Sequence, residues 1–168
     1  MKNLIVSFVV LITISCNKGN NCELPNCMER IKCEVPEQII GTGEIIPNGL
    51  VLYKTSTLIT WEMMRKDYVI RADSQNVVNL HVSFDNGTTF IPIDFNKYSV
   101  LGKYASGQCK VTFERNVTKD DSQKKYIYKI KVHECGKCKT NWEDMNWVLV
   151  PKIAEDYSVN FLIDQIER

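Results

Sequence analysis

Alternation of apolar and polar residues is the feature that most constrains the fold of this chain. It runs over residues 78–84, 109–114 and 126–133, where every second side chain is apolar. A period of two places the apolar side chains on one face of an extended strand. These segments therefore predict half-buried strands of antiparallel sheets, with the apolar face packed inward.

Turn signals separate the candidate strands. Asp85-Asn86-Gly87 predicts a hairpin between 78–84 and 91–95, and Pro47-Asn48-Gly49 predicts another within 44–53. Segments 148–150 and 159–163 are later strand candidates, whereas 57–72 fits either a helix or two strands, of which we favour the strands. Because strands do not alternate with long helices, a doubly wound fold is not expected. We predict a mainly β fold, an antiparallel β-sandwich or an open barrel, with a Cys-rich N-terminal segment.

The first sixteen residues have the pattern of an export signal. Lys2 precedes an apolar run over 4–14, which is too short for a membrane-spanning helix of about 20 residues. The run instead fits the apolar region of a secretory signal. The segment Thr13-Ile14-Ser15-Cys16 resembles the lipobox of bacterial lipoproteins, although leucine is usual at the position of Thr13. In that family the signal is cut before the cysteine, and the cysteine is lipidated.

The lipobox resemblance implies a domain organisation and a location. Residues 1–15 would be the signal peptide, Cys16 would carry the lipid, with palmitate among its acyl groups, and 16–21 would be a lipid-anchored linker. Residues 22–36 form a Cys-rich segment, and 37–168 form a single β-rich domain. The expected location is the bacterial cell envelope, at the outer membrane. Ordinary signal cleavage that releases a secreted protein and a retained buried helix are the alternatives.

Cysteine usage agrees with export from the cytoplasm. The chain has seven cysteines, and six remain when Cys16 is reserved for lipid. An even number in an exported chain indicates disulfides. Their pairing stays open, although we expect a bridge between the N-terminal segment and the main body. The candidates are Cys22, Cys27, Cys33, Cys109, Cys135 and Cys138.

The charge balance argues against nucleic acid as a partner. Without Lys2 of the signal, the chain has 20 basic and 20 acidic residues, and the two signs are well mixed. A protein that binds nucleic acid needs a basic face, which this composition does not demand.

The segment Ser83 to Phe90 resembles the Asp-box hairpin of propeller sialidases and several other β folds. Ser83, Asp85, Gly87, Thr89 and Phe90 fall at the matching positions. The resemblance implies a structural hairpin and no activity. We expect Asp85 to bind backbone amides across the turn, Gly87 to adopt a positive φ and Phe90 to pack under the hairpin. A chance Asp-Asn-Gly turn is the alternative.

The string His133 to Cys138, HECGKC, has three interpretations. Both cysteines could form structural disulfides with distant partners. Zinc could be bound by Cys135, Cys138 and His133 with an N-terminal cysteine as the fourth ligand. A thiol-redox pair would need Cys135 near a helix N-terminus. We favour disulfides because of the exported location and the even number of cysteines, and we assign no metal.

The sequence supplies little catalytic machinery. His81 and His133 both lie within predicted strands, and no G-x-S-x-G, H-E-x-x-H, P-loop or G-x-G-x-x-G motif is present. Glu143 and Asp144 could serve a glycosidase only if their carboxylates flanked a sugar. We assign no catalytic residue and expect no cofactor.

Aromatic residues after the last cysteine are the weak binding candidates. Exposed Trp142, Trp147 and Tyr157 could stack on a sugar or anchor a protein, whereas buried ones would be core. We therefore expect a non-catalytic, lipid-anchored envelope protein with a binding or structural role toward a protein or glycan. The alternatives are an envelope hydrolase and a thiol-redox protein that uses Cys135 and Cys138.

Overall fold

The structure, a computed structural model, describes residues 41–53, 62, 65–76, 78–136 and 139–167. The signal peptide, Cys16, the linker and the Cys-rich segment lie outside these residues. The described part is mainly β, in three sheets that we call A, B and C. Its strands are β1 Thr42–Gly43, β2 Leu50–Tyr53, β3 Tyr68–Ile70, β4 Leu80–Ser83, β5 Ile91–Pro92, β6 Tyr98–Gln108, β7 Lys110–Asp120, β8 Lys125–Cys135, β9 Asn141–Pro151 and β10 Ser158–Glu167. One 3-10 turn covers Asp73–Gln75.

Sheet A has the strand order β1-β7-β8-β10. The hairpin β7-β8 is antiparallel over all 11 residues of each strand. By contrast, β1 runs parallel to β7, and β10 runs parallel to β8. Sheet B, β2-β4-β5, and sheet C, β3-β6-β9, are antiparallel throughout.

Sheet C lies between sheets A and B, so the sandwich has three layers and two cores. One core joins sheet B to one face of sheet C; its central buried side chains are Val51, Leu80, Val82, Val100, Trp147 and Leu149. The other core joins sheet A to the opposite face of sheet C; its members include Leu101, Tyr128, Ile130, Val132, Val148 and Val150. Successive residues of β9 therefore point into different cores, as the period of a strand requires.

The predicted β-sandwich is confirmed, and several segments match their predicted strands. The alternating segments around 80, 110 and 130 become β4, β7 and β8, and the Asp85-Asn86-Gly87 turn joins β4 to β5. In the ambiguous stretch, Tyr68–Ile70 is a strand, and residues 54–61, 63 and 64 lie outside the described part. The strands β9 and β10 are longer than their predicted segments.

The predicted hairpin within 44–53 is wrong, because the two halves of this segment pair with different sheets. Glu44 N donates to the carbonyl of Val117 in sheet A at 2.8 Å, and Ile46 N donates to that of Leu149 in sheet C at 2.8 Å. The chain thus crosses from one sheet to the other before β2 joins β4. Gly43 makes the crossing possible: its φ is +75°, and a Cβ there would lie 2.0 Å from the Val117 carbonyl oxygen.

Candidate functional site

The long strands of sheets A and C share two ends, which we name by one residue each. The Cys135 end contains the last residues of β6, β8 and β10 and the first residues of β9. Gln108 of β6 pairs there with Asn141 of β9, and Glu167 of β10 pairs with Glu134 of β8. At the Tyr157 end lie the β7-β8 turn and the start of β10, where Ser158 N donates to Lys124 O at 3.0 Å. An 11-residue strand such as β8 separates the two ends by roughly 33 Å.

Trp142 is the most exposed large apolar side chain of the described residues, with 57% of its surface accessible. It is the second residue of β9 and lies opposite Gly107 of β6, which has no side chain to cover it. Asn141, Glu143 and Asp144 are exposed as well. An aromatic surface flanked by amide and carboxylate groups therefore stands at the Cys135 end, and we call these four residues the Trp142 surface.

The two carboxylates of the Trp142 surface lie on opposite faces of sheet C. Glu143 shares its face with Met145 and Tyr104, whereas Asp144 shares its face with the residues that pack toward sheet A. Burial, followed by the hydrogen bond to the neighbouring Glu143 carboxylate, raises the pKa of Tyr104 to about 12. The two carboxylates therefore project from opposite faces of β9 and do not converge on one space, as the pair of a glycosidase would.

Arg115 is an inward cation that the sequence reasoning missed. It lies on the same face of β7 as the buried Val117, and its buried Nε has no hydrogen-bond partner among the described residues. Desolvation raises the pKa of Asp144 even though the residue as a whole is exposed, and the charge of Arg115 opposes that rise. The alternation along β7 could have identified Arg115 from sequence, because this arginine occupies an inward-facing position between Phe113 and Val117.

Two of the candidate cysteines lie at this end of the sandwich. The backbones of Cys109, just after β6, and Cys135, the last residue of β8, are paired by an isolated parallel β-bridge, and the two residues are 8% and 7% exposed. Cys109 has a φ of 61°, and its backbone N donates to Thr140 O at 2.9 Å, which ties the β6-β7 corner to the start of β9. The other candidates lie outside the described residues: Cys22, Cys27, Cys33 and Cys138.

The two histidines lie on different sheets and are both buried. His133, on the outer face of sheet A, is 8% exposed, and its Nε2 lies 3.0 Å from Glu114 Oε2. Glu114 also accepts a hydrogen bond of 3.0 Å from Lys131 Nζ, and the bonds from Lys131 and His133 lower the pKa of Glu114. His81, in sheet B, is 7% exposed, with Nδ1 3.3 Å from Asn79 O. Both imidazoles are thus held within sheets, at separate places.

The three aromatic candidates do not form one surface. Trp147 is 5% exposed and donates Nε1–H to Tyr53 Oη at 2.8 Å, so it is a core residue and not a binding residue. Tyr157 lies at the opposite end from Trp142 and donates its hydroxyl to Asp121 Oδ1 at 2.7 Å. Trp147 is therefore core, as expected of a buried aromatic, and Trp142 alone stays an exposed surface candidate.

The hairpin at 83–90 has the contacts expected of its residues. Asp85 Oδ1 accepts from Ser83 Oγ at 2.6 Å and from Thr89 N at 2.8 Å, and Gly87 has a φ of +86°. These bonds to Ser83 and Thr89 lower the pKa of Asp85 to about 2. Phe90 is half-buried, with Cζ 3.8 Å from the place where a Cβ on Gly87 would stand. Every one of these contacts lies within the hairpin, which gives it a structural role.

A surface cleft of about 360 Å³ lies toward the Tyr157 end, and the sequence reasoning did not find it. Ile93 and Phe95 line it together with two cations, Arg71 and Lys152. Arg71 Nη2 donates to the backbone carbonyl of Tyr157 at 2.8 Å, while Lys152 Nζ donates to the carbonyl of Phe95 at 2.8 Å and to that of Arg71. Because these cations bind the walls of the cleft, we assign it no ligand.

Comparison with known proteins gives no family. No protein family matches the chain, and neither a curated protein nor a solved structure is significantly similar to it. Within the described ranges, no group of three or more histidine, cysteine or acidic side chains is arranged to hold a metal ion. The same residues include no helix of the length and apolar character needed to cross a bilayer.

Proposed function

We propose that this chain is a non-catalytic, lipid-anchored protein of the bacterial envelope that binds a protein or glycan through the Trp142 surface. The observation that carries the proposal is the 57% exposure of Trp142 on a regular, paired strand. A large aromatic ring exposed on a rigid element loses little conformational entropy on binding, and tryptophan is prominent among residues that dominate interfaces.

The polar neighbours of Trp142 fit either class of partner. Asp144 offers a carboxylate on the same face as the ring, and Asn141 and Glu143 offer an amide and a carboxylate on the opposite face; these groups can bind sugar hydroxyls or backbone amides. Glu143 lies on the other face from Trp142 and Asp144, so the β9 edge presents polar groups on both sides. A partner that wraps this edge would meet the aromatic ring on one face only.

The lipid anchor and the disulfides belong to the same proposal. The lipobox resemblance places the acyl chains on Cys16 and the domain outside the cytoplasm, at the outer membrane. We expect Cys109 and Cys135, which are buried at the same end of the sandwich, to take part in the structural disulfides. Replacement of Cys16 by serine should abolish incorporation of labelled fatty acid, and undiminished labelling would refute the anchor.

No specific observation favours either alternative function. A hydrolase that uses Glu143 and Asp144 is opposed by the placement of these residues on opposite faces of sheet C. A thiol-redox site is opposed by Cys135, which is buried at the end of a strand, whereas reactive cysteines are partly exposed and often lie at helix N-termini.

Site-specific photo-crosslinking in growing cells tests the binding proposal. A benzophenone amino acid replaces Trp142 in one variant and Leu52 in a control; Leu52 is 41% exposed on sheet B. We expect an adduct at position 142 that the control does not give. Protease-sensitive adducts would identify a protein partner, and adducts sensitive to glycan-degrading enzymes would identify a glycan. Equal labelling at both positions, or none at 142, would refute the proposal.

A further inference from the structure

Among the described residues, β10 is an edge strand of sheet A. β10 covers ten residues, Ser158–Glu167, and pairs with β8 on one side, with no described strand on its other side. Its register with β8 is continuous from Ser158 to Glu167 and contains no bulge. Natural edge strands are usually short, bulged, or marked by lysine or proline, because an open edge pairs with other chains. β10 has neither lysine, arginine, proline nor glycine.

The middle of β10 is exposed on both faces. Leu162 is 46% exposed on the outer face of sheet A, and Ile163 is 39% exposed on the face toward sheet C. Asp164 and Gln165 are exposed as well. Alternation along a strand cannot produce four consecutive exposed residues if one face is fully covered, so sheet C covers this part of β10 only in part; Gln165 Nε2 still donates to Ser106 O of β6 at 3.3 Å.

The sequence of β10 is complementary to itself. In a two-fold antiparallel pair centred on Leu162, this residue faces its own copy on the outer side. Phe161 then faces Ile163 of the second copy on the inner side, and Asn160 faces its Asp164. The three central residues thus meet apolar partners, and no two like charges are opposed. Centring on Ile163 or on Phe161 instead would set Leu162 against Asp164 or Asn160, so apolar matching at Leu162 favours this register.

We propose that β10 is a dimerisation edge, at which a second copy of this chain adds its own β10 antiparallel about Leu162. Two copies of sheet A then form one continuous eight-stranded sheet. The Asp164 carboxylate remains available for its ion pair with Lys129, whose Nζ lies 2.5 Å away within the same copy. This interface lies on a different strand from the Trp142 surface and stands independently of the proposed function.

Cysteine cross-linking tests the register in the full chain as cells produce it. A Leu162→Cys variant places two cysteines opposite each other, with Cβ atoms about 4.5–5.5 Å apart, which suits a disulfide after slight movement. Gln165→Cys is the matched control, because it is equally part of β10 but faces Val159 of the second copy. We expect mild oxidation to give a reducible species of twice the monomer mass for Leu162→Cys alone. Absence of this species, equal yield from the control, or a cross-link to a chain of different mass would overturn the proposal.

Sedimentation of the detergent-solubilised protein tests the energetics. Leu162→Lys opposes two ammonium groups at the two-fold axis and should weaken the dimer by about tenfold or more. Leu52→Lys, at a similarly exposed position on sheet B, should leave it unchanged. Far-UV circular dichroism verifies that both variants fold. A parent protein that sediments as a monomer at micromolar concentration, or a dimer that tolerates Leu162→Lys, would refute the assignment.

Discussion

Gly102 provides the sharpest test of the packing described above. A Cβ on Gly102 would lie 2.1 Å from Cζ3 and 2.3 Å from Cε3 of Trp147, far inside van der Waals contact. The indole cannot move freely, because its Nε1–H is bound to Tyr53 Oη and its ring packs on Tyr68 at a centroid distance of 5.1 Å. We therefore expect Gly102→Ala to displace Trp147 from both partners.

The expected cost follows from three unfavourable contributions and one favourable contribution. Overpacking a core costs about 1–3 kcal/mol, and loss of the Trp147 hydrogen bond and of an aromatic contact adds about 1 kcal/mol each. Alanine also restricts the unfolded chain more than glycine does, which offsets about 0.5–1 kcal/mol of this cost. We expect a net destabilisation of about 2–4 kcal/mol, which lowers the melting temperature of a 168-residue chain by about 5–15 °C.

Urea unfolding followed by far-UV circular dichroism measures this cost, with disulfides kept intact. The Trp147→Leu variant supplies the control background, because leucine lacks the ring atoms that the new Cβ would meet. Gly102→Ala should cost much less in that background, so the two substitutions should be strongly non-additive. A neutral or stabilising Gly102→Ala in the parent, or an equal cost in both backgrounds, would refute the packing of Trp147 over Gly102.

Three further substitutions test other parts of the fold. Gly43→Ala should lower the unfolding midpoint in urea, because φ at this residue is +75° and a Cβ would strike the Val117 carbonyl oxygen. The folded pKa of Asp85 is about 2, below the unfolded value near 4. The contribution of Asp85 to stability is therefore present above about pH 4 and is lost as the pH falls toward 2. Asp85→Asn should reduce the pH dependence of the melting temperature over this range. Tyr128→Phe leaves the buried carbonyl of Asn146 without its 2.9 Å hydrogen bond and should cost about 1–3 kcal/mol in the same urea assay.

Half-buried strands were predictable from sequence because burial of one face makes apolar and polar residues alternate along the strand. The strand β8 is of this kind, β7 is partly buried along most of its length, and β4 was predicted as half-buried although all four of its residues are buried. β6 was missed because it belongs to the middle layer and faces a core on both sides, which removes the alternation. Its small residues have a packing role that no local pattern reveals: Gly102 accommodates the Trp147 ring, and Ala105 is only 1% exposed against sheet A.

Long-range pairings account for the other errors. The turn at Pro47-Asn48-Gly49 exists, with Gly49 N donating to Ile46 O at 3.2 Å, yet its two sides join different sheets. Local turn chemistry does not identify the partner of a strand. The parallel pairing of β10 with β8 likewise depends on residues more than thirty positions apart, so it leaves no signal within either segment.

The candidate site was predictable only in part, because residue type does not reveal which side chains the fold uses internally. Trp142 and Trp147 are the same residue type, and their positions along β9 separate them: Trp142 lies among the four exposed residues at the start of the strand, and Trp147 lies in its buried middle. His133 has its Nε2 beside Glu114, and Asp85 is bound within its own turn. His133 and Asp85 therefore have their partners within the fold, and among the described residues the Cys135 end presents an exposed aromatic ring, Trp142.

The two proposed surfaces together define an arrangement that can be tested. β10 and β9 share the sandwich, and Glu167 and Asn141 both lie at the Cys135 end. An antiparallel β10 pair reverses the strands of the second copy, so the two Trp142 surfaces would point in opposite directions from the two-fold axis. Such a dimer can join two partners but cannot place both Trp142 rings on one small ligand. Leu162→Lys should therefore abolish bridging of two partner molecules while leaving the affinity of each single Trp142 surface unchanged. A loss of single-site affinity in this variant would mean that the two surfaces act as one.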